Sequence, residues 1–176
     1  IDMRFLNNRL GFDVTYFERE DSGLPVAISA AGGSGYTGLS VNSKMTSSDG
    51  IEVMIKGTPI QTEDLRWDLS FNFATVSKTV DFIYDGIDRN ILNSWLSWSS
   101  LDLQEIVGEE WGTFVGRTRK QDAQGNWIYQ AGGNHDYENN QILGNVMPDV
   151  TGGITSNLQY KNWDLAIGID FQDGGL

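Results

Sequence analysis

The chain has a single histidine, His135, which stands directly before a carboxylate, Asp136. Such a pair acts as a general base only when a nucleophile lies within hydrogen-bond reach of the imidazole. The sequence places no nucleophile there, and it has no pattern typical of an active site. We therefore interpret His135 as a polar loop residue, and we predict no catalytic residue and no enzymatic activity.

A second group that could do chemistry is Asp122, Gln124 and Asn126, whose side-chain oxygens stand at alternate positions around Gly125. A calcium loop of the EF-hand type needs Asp, Gly and Glu at its first, sixth and twelfth positions. That match fails, because a hydrophobic hairpin residue stands where Gly is needed. A plain hairpin turn is the favoured alternative, and we predict no metal and no cofactor.

Aromatic side chains are concentrated between residues 75 and 145. Exposed rings stack on sugar rings or peptide side chains, although exposed apolar area also marks sites for partner proteins. The favoured alternative is that the rings pack a small core of this stretch or dock a partner protein. The candidates for contact with a substrate or a partner are Trp95, Trp98, Trp111, Trp127 and Tyr129.

Composition excludes several classes of protein. The net charge of −12 argues against a nucleic-acid partner, which requires clustered Lys and Arg. The absence of cysteine excludes disulfides and thiolate metal sites. No apolar run approaches the 18 or so residues of a transmembrane helix. Alternating strands escape that test, because only every second residue faces lipid.

The elements that would hold these groups are strands with two unlike faces. Residues 163–171 alternate large apolar side chains with small or acidic ones, and successive side chains of a strand point to opposite faces. Segments of about ten alternating residues separated by turns are typical of transmembrane β-barrels. The side chains predicted to face lipid are Leu10, Phe12, Val14, Tyr16, Trp67, Leu69, Phe71, Phe73, Leu158, Tyr160, Trp163, Leu165, Ile167 and Ile169.

We predict an all-β chain of antiparallel transmembrane β-barrel strands with long extracellular loops. The connections alternate between long and short, as in outer-membrane barrels. About nine tilted residues would cross about 23 Å, close to the apolar band of an outer membrane. The predicted strands lie near 9–18, 50–60, 65–74, 150–160 and 163–171, and the predicted extracellular loops near 19–49 and 75–145.

The longer loop is expected to contain structure of its own. Residues 111–119 are predicted to form a strand paired with residues 127–130, through a turn at 123–126. Residues 91–103 are ambiguous and could form a short helix. The polar faces of the predicted strands could line a substrate route, or only a solvated lumen in contact with a plug; their polarity favours the second alternative. They carry Arg9, Asp13, Glu52, Lys56, Asp68 and Asp170.

A series of short motifs resembles a known family. It begins with NRLGFDVTYF at residues 8–17, continues with DGIEV at 49–53 and VGEEWG at 107–112, and reaches LGNVMPD at 143–149 before closing on Gly174 and Gly175. In order and spacing the series resembles the barrel portion of the SusC/RagA family of TonB-dependent outer-membrane transporters.

The resemblance implies a multi-pass, 22-stranded barrel in the outer membrane of a Bacteroidetes-type cell, filled by an N-terminal plug domain. It implies import of oligosaccharides or oligopeptides, with a SusD-like surface lipoprotein as a lid and with energy delivered by TonB to the plug. We expect this chain to be a part of the barrel domain, without the plug. Its expected partners are the lipoprotein, TonB through the missing plug, outer-membrane lipid, and a glycan or peptide substrate.

A soluble β-sandwich that binds carbohydrate could be built from the same alternating strands. In that fold the apolar faces of two sheets would be buried against each other. In a barrel, side chains such as Leu165, Ile167 and Ile169 would instead remain exposed to lipid.

Overall fold

The computed structural model describes residues 1–30, 33–95 and 101–176, and all regular structure in these ranges is β. The all-β, antiparallel prediction is confirmed. Within the same ranges no helix has the length and apolar content to cross a membrane. The strands are β1 (Asp2–Phe5), β2 (Leu10–Ser29), β3 (Gly38–Gln61), β4 (Leu65–Phe82), β5 (Arg89–Trp95), β6 (Leu101–Ile106), β7 (Thr113–Arg119), β8 (Tyr137–Asn145), β9 (Val150–Tyr160) and β10 (Trp163–Asp173).

Hydrogen bonding joins these strands into two sheets. The larger sheet has the order β1-β2-β3-β4-β9-β10, and the smaller is the meander β5-β6-β7-β8. The chain divides into two compact units. Unit 1 comprises residues 1–19, 48–77 and 148–174, and unit 2 comprises residues 20–47, 78–147 and 175–176.

The strands after residue 149 lie where the alternation predicts them, and β4 begins at the predicted Leu65. The predicted loop at 19–49 is wrong for most of its length, because β2 continues to Ser29 and β3 begins at Gly38. Residues 18–23 are polar on both faces and carry no alternation, although the strand passes through them. Beyond them Val26 is buried in unit 2.

The predicted loop at 75–145 is wrong in the same way. Strand β4 runs on to Phe82, and strands β5 to β8 form a sheet of their own. The helix considered for residues 91–103 is wrong in the described residues, which form strand up to 95 and again from 101. The predicted strand at 111–119 is β7, but its partners are β6 and β8 rather than residues 127–130.

One face of β4, β9 and β10 in unit 1 is mostly apolar, with Ser156 as a polar residue between Leu69 and Ile167. The antiparallel registers place Trp67, Leu158 and Leu165 side by side on neighbouring strands. Four residues further along β4, they do the same for Phe71, Ile154 and Ile169. The same registers place small and polar residues on the other face, as the two-residue period requires. The exposed fractions are 55% for Leu165, 48% for Ile167 and 59% for Ile169.

These exposures are evidence against the β-sandwich alternative, which needs the apolar side chains of β10 sealed against a second sheet. Packing on this face is instead lateral. Phe71 and Phe171 stack across β9 with their ring centroids 6.4 Å apart, and Gly152 between them leaves the space that the Phe171 ring occupies. A barrel wall uses such lateral packing and leaves its outer face to lipid.

Unit 2 contains the buried core. Val26, Val80 and Ile83 are 4%, 0% and 0% exposed, and the partly buried side chains of Ile28, Val41, Ile87, Val107 and Trp111 pack against them. The backbone of β4 is bonded to the turn that follows β6, since the Val80 amide donates to the Glu109 carbonyl and the Gly108 amide to the Val80 carbonyl.

Candidate functional site

The polar face of unit 1 forms an open cleft of about 540 Å³. Its wall contains charges of both signs from the predicted polar faces, among them Arg9, Asp13, Lys56 and Asp68. A second hollow of about 400 Å³ adds Thr15 and Glu52. The charged and amide side chains that line the larger cleft are Asp2, Arg4, Asn8, Arg9, Asp13, Lys56, Asp68 and Asn157.

Several of these charges are already engaged within the wall. The Arg9 guanidinium donates to the carbonyls of Thr58 and Pro59 at 3.0 and 2.7 Å. The Thr58 hydroxyl donates to Asp68 at 2.6 Å, and Asp68 also accepts from Arg66 at 2.7 Å. These hydrogen bonds join the residue before β2 to the last residues of β3. Such a solvated, internally bonded wall suits a lumen lining.

Unit 2 holds a fully buried carboxylate, Glu105. Its oxygens accept hydrogen bonds from the Lys44 ammonium at 2.7 Å, the Trp111 indole at 2.9 Å and the Asn90 amide at 3.0 Å. A buried charge is tolerated only when it is paired and hydrogen-bonded. The cluster therefore holds β3, β5, β6 and the turn after β6 together.

Trp111 was predicted as a candidate for contact with a substrate or a partner, with packing in a small core as the alternative. The indole donates to Glu105, the partly buried ring packs on the Val80 and Ile83 core, and Lys78 lies over the ring at 5.8 Å. These contacts give Trp111 a packing role in unit 2, and its contact with a substrate or a partner stays a prediction. The side chain of Trp95 and all of Trp98 lie outside the described residues.

The segment between β7 and β8 folds into a compact hairpin, residues 120–136. The Lys120 amide donates to the Asp136 carbonyl, the Asp136 amide to the Ile128 carbonyl and the Ile128 amide to the Lys120 carbonyl, which closes a ring of three backbone hydrogen bonds. The Lys120 ammonium also lies 2.8 Å from the Asp136 carboxylate. The hydrogen bond from Lys120, followed by that from Gln130, lowers the pKa of Asp136 from its ordinary value.

The turn within the hairpin is held by Asp122. Its carboxylate accepts the amides of Gln124 and Asn126, both at 2.9 Å, and the side-chain amide of Asn126. These bonds, the one from Asn126 first, lower the pKa of Asp122. The Asp122 carboxylate thus accepts N–H groups, whereas a calcium ion would be bound by oxygen atoms. The observed geometry is that of the predicted hairpin turn.

His135 and Asp136 do not form a catalytic dyad. The Asp136 carboxylate is bonded to Lys120, whereas the His135 ring stacks on Tyr129 at 4.6 Å and meets Trp127 edge-on at 6.2 Å. The buried Nδ1 atom of His135 has no hydrogen-bond partner among the described residues. Trp127 and Tyr129 are 44% and 56% exposed, so these two predicted contact residues are accessible.

Sequence reasoning missed two arginines beside these rings. The Arg117 guanidinium lies 4.6 Å from the centroid of the Tyr137 ring, and the Arg119 guanidinium lies 5.7 Å from that of Trp127. Both arginines are exposed at alternate positions of β7. The signal available in the sequence was this spacing, which puts two like charges on one face of a strand. We define the cationic–aromatic face as Arg117, Arg119, Trp127, Tyr129, His135 and Tyr137.

The long strands of unit 1, apolar on one face and polar on the other, have the fold of a segment of a β-barrel wall. Solved structures with this fold include the RagAB peptide transporter, with 18% identity, a TM-score of 0.71, and coverage of 98% of this chain and 20% of that one. The RagAB peptide importer in its open-open state matches at 17% identity, with a TM-score of 0.71, over 96% of this chain and 19% of that one.

At these identities the likeness is one of fold. The chain spans about a fifth of the length of the solved structures that it matches. No protein-family model matches the chain, and no curated protein matches it either.

Proposed function

We propose that this chain is part of the wall of an outer-membrane importer of the TonB-dependent class. The observation that carries the proposal is the apolar face of β4, β9 and β10, where the side chains of β10 remain about half exposed. Hydrocarbon solvates such a face, and water does not. The fold likeness to a peptide transporter supports the same class.

The proposed partners follow from that class. A SusD-like surface lipoprotein would cover the extracellular side, and TonB would act through a plug domain outside this chain. Capture above the barrel, closure of the lid and displacement of the plug would follow in that order, with the lid moving on a hinge. This chain would make and break no covalent bond.

The cargo would be an oligopeptide or an oligosaccharide. The likeness to structures described as a peptide transporter favours the peptide. In unit 2, the exposed rings of Trp127 and Tyr129 remain the candidates for contact with the cargo or the lid. In unit 1, the polar cleft suits a hydrated wall, because its charges are bonded to one another and to the backbone.

The proposal is tested on the full-length protein in its cell. A strain lacking the gene should lose uptake of a labelled oligopeptide or oligosaccharide mixture, and the intact gene should restore uptake only when TonB is functional. The protein should leave the membrane only with detergent. Uptake that persists without TonB, or a native protein that stays in buffer alone, would exclude an importer of this class.

A further inference from the structure

The cationic–aromatic face carries two guanidiniums, those of Arg117 and Arg119. Arg117 and Arg119 are exposed, and in the described part of the chain neither has an ion-pair partner. The two carboxylates of the neighbouring hairpin are engaged elsewhere, Asp136 with Lys120 and Asp122 with its own turn. Both guanidiniums are therefore available to an anionic ligand.

The rings hold these guanidiniums in place. Arg117 lies over Tyr137, Arg119 lies over Trp127, and the Trp127 ring is braced in turn by His135. A guanidinium stacked on a ring loses little freedom when it binds, and its planar fork matches a carboxylate in two parallel hydrogen bonds. The face is therefore organised for carboxylates before any ligand arrives.

The spacing of the two charges indicates the form of the ligand. Alternate residues of a strand lie about 6.7 Å apart on one face. An extended peptide has the same repeat, so carboxylates on alternate residues would meet both guanidiniums at once. Between them, neutral side chains would lie against the exposed rings of Trp127 and Tyr129.

We propose that the cationic–aromatic face binds an extended acidic oligopeptide with carboxylates on alternate residues, and that this peptide is imported cargo. The second half of this statement rests on the proposed function. The negative charge of the rest of the chain would repel an acidic peptide that does not match both arginines. The face would thus select for spacing as well as for charge.

The test measures peptide affinity for the full-length transporter in detergent, by calorimetry. The probes are a capped octapeptide with Asp at alternate positions, the same composition with its Asp residues adjacent, and the Asn version. The alternating Asp peptide should bind at least about tenfold more tightly than the Asn version. Its affinity should also fall as salt rises from about 0.05 to 0.5 M.

Variants of the two arginines distinguish a loss of charge from a loss of folding. The double change Arg117→Gln and Arg119→Gln should abolish the preference for Asp, whereas the change of both to Lys should keep part of it. Lys161→Gln, which removes a cation over the Tyr160 ring in unit 1, should change nothing. Equal affinity for the Asp and Asn peptides, an unchanged preference in the Gln variant, or tighter binding of an acidic oligosaccharide would overturn the proposal.

Uptake by cells that carry the full-length protein and functional TonB keeps the two proposals apart. Import of peptides without any preference for alternating Asp would reject the acidic ligand alone. Selective binding of the Asp peptide by a protein that imports other peptides would reject its role as cargo, while the binding site and the importer class would stand. Selective binding together with loss of all TonB-dependent uptake would reject the importer class.

Discussion

The indole nitrogen of Trp67 donates a hydrogen bond of 2.9 Å to the hydroxyl of Ser156, on the otherwise apolar face of β4 and β9. The two residues are 89 positions apart in the chain, and their side chains form a hydrogen bond on the face that we assign to lipid. Hydrocarbon offers no partner for an N–H group, so an indole there needs one within the protein. The pair explains why a serine interrupts the apolar face.

Replacing Ser156 with Ala should therefore destabilise the protein. The Trp67 N–H would be left without an acceptor, which costs about 1–3 kcal/mol. The measurement is the free energy of unfolding in detergent. Ser70→Ala, on the watery face of β4, is the control and should cost less than about 0.5 kcal/mol. In a Trp67→Phe background the Ser156→Ala change should cost little; an undiminished cost would mean that the hydrogen bond is unimportant.

Gly152→Ala should also destabilise unit 1, for a steric reason. A methyl group at this position would lie 2.7 Å from the Asn72 carbonyl oxygen and 2.9 Å from a carbon of the Phe171 ring. Overpacking of this kind costs about 1–3 kcal/mol. Gly168, on the neighbouring strand, has nothing within 4 Å of the same added atom. Gly168→Ala should leave the unfolding transition unchanged or raise it slightly, and a similar loss in both variants would contradict the packing.

The buried Glu105 should control the local stability of unit 2. Glu105→Ala leaves the Lys44 ammonium, whose side chain is 14% exposed, without its counter-charge. Breaking a buried ion pair from one side costs about 3–5 kcal/mol. Hydrogen exchange at the amides of β5 and β6 measures that loss, because it reports local opening.

Two variants make the Glu105 measurement specific. Glu63→Ala, in the exposed turn before β4, is the control and should not change exchange in unit 2. The double change Glu105→Leu and Lys44→Met should recover most of the protection, because no charge is then left buried. Exchange in β5 and β6 that is as slow in Glu105→Ala as in the parent would show that the cluster does not hold these strands.

The hairpin of residues 120–136 should open in acid. Because the folded pKa of Asp136 is below its ordinary value of 3.8, the carboxylate stabilises the hairpin fully above about pH 4. That stability is lost as the pH falls through the lowered pKa. Lys120 acts in the opposite sense, since its pKa is raised by Asp136 and its contribution is lost as the pH rises through that raised value.

Exchange of the Ile128 and Asp136 amides, measured between neutral pH and about pH 2, tests this dependence after correction for the intrinsic rate. Asp136→Asn should weaken protection at neutral pH and reduce its dependence on acid. The remaining dependence should come from Asp122, whose pKa is also lowered. An unaltered acid profile in Asp136→Asn would show that this carboxylate does not hold the hairpin.

The sequence predicts the strands whose two faces differ in polarity. Residues 150–160 match β9 because one face is mostly apolar and the other polar, and this alternation can be read directly. The extension of β2 through residues 18–23 could not be read, since both of its faces are polar there. Strand β1 has only four residues and gives no periodic signal.

The candidate site residues also differ in how far the sequence alone can place them. Trp127 and Tyr129 could be predicted as exposed rings from their type and their place in a polar segment. The particular contacts of Trp111 could not, because they involve the Glu105 carboxylate and a core that includes Val26, a residue distant in the sequence. The environment of Glu105 depends on Lys44, 61 positions away, so local pattern cannot show that a buried carboxylate is satisfied.

The central claim is that alternate side chains of β10 face hydrocarbon, and spin labels test it most directly. This chain has no cysteine of its own. Single cysteines introduced into it carry the labels in the full-length protein in lipid, after any cysteine elsewhere in that protein has been replaced. Labels at Leu165, Ile167 and Ile169 should collide preferentially with oxygen, and labels at Asp164 and Ala166 with a water-soluble nickel complex. Accessibility without a period of two, or labels at the three apolar positions that reach neither reagent, would contradict the account.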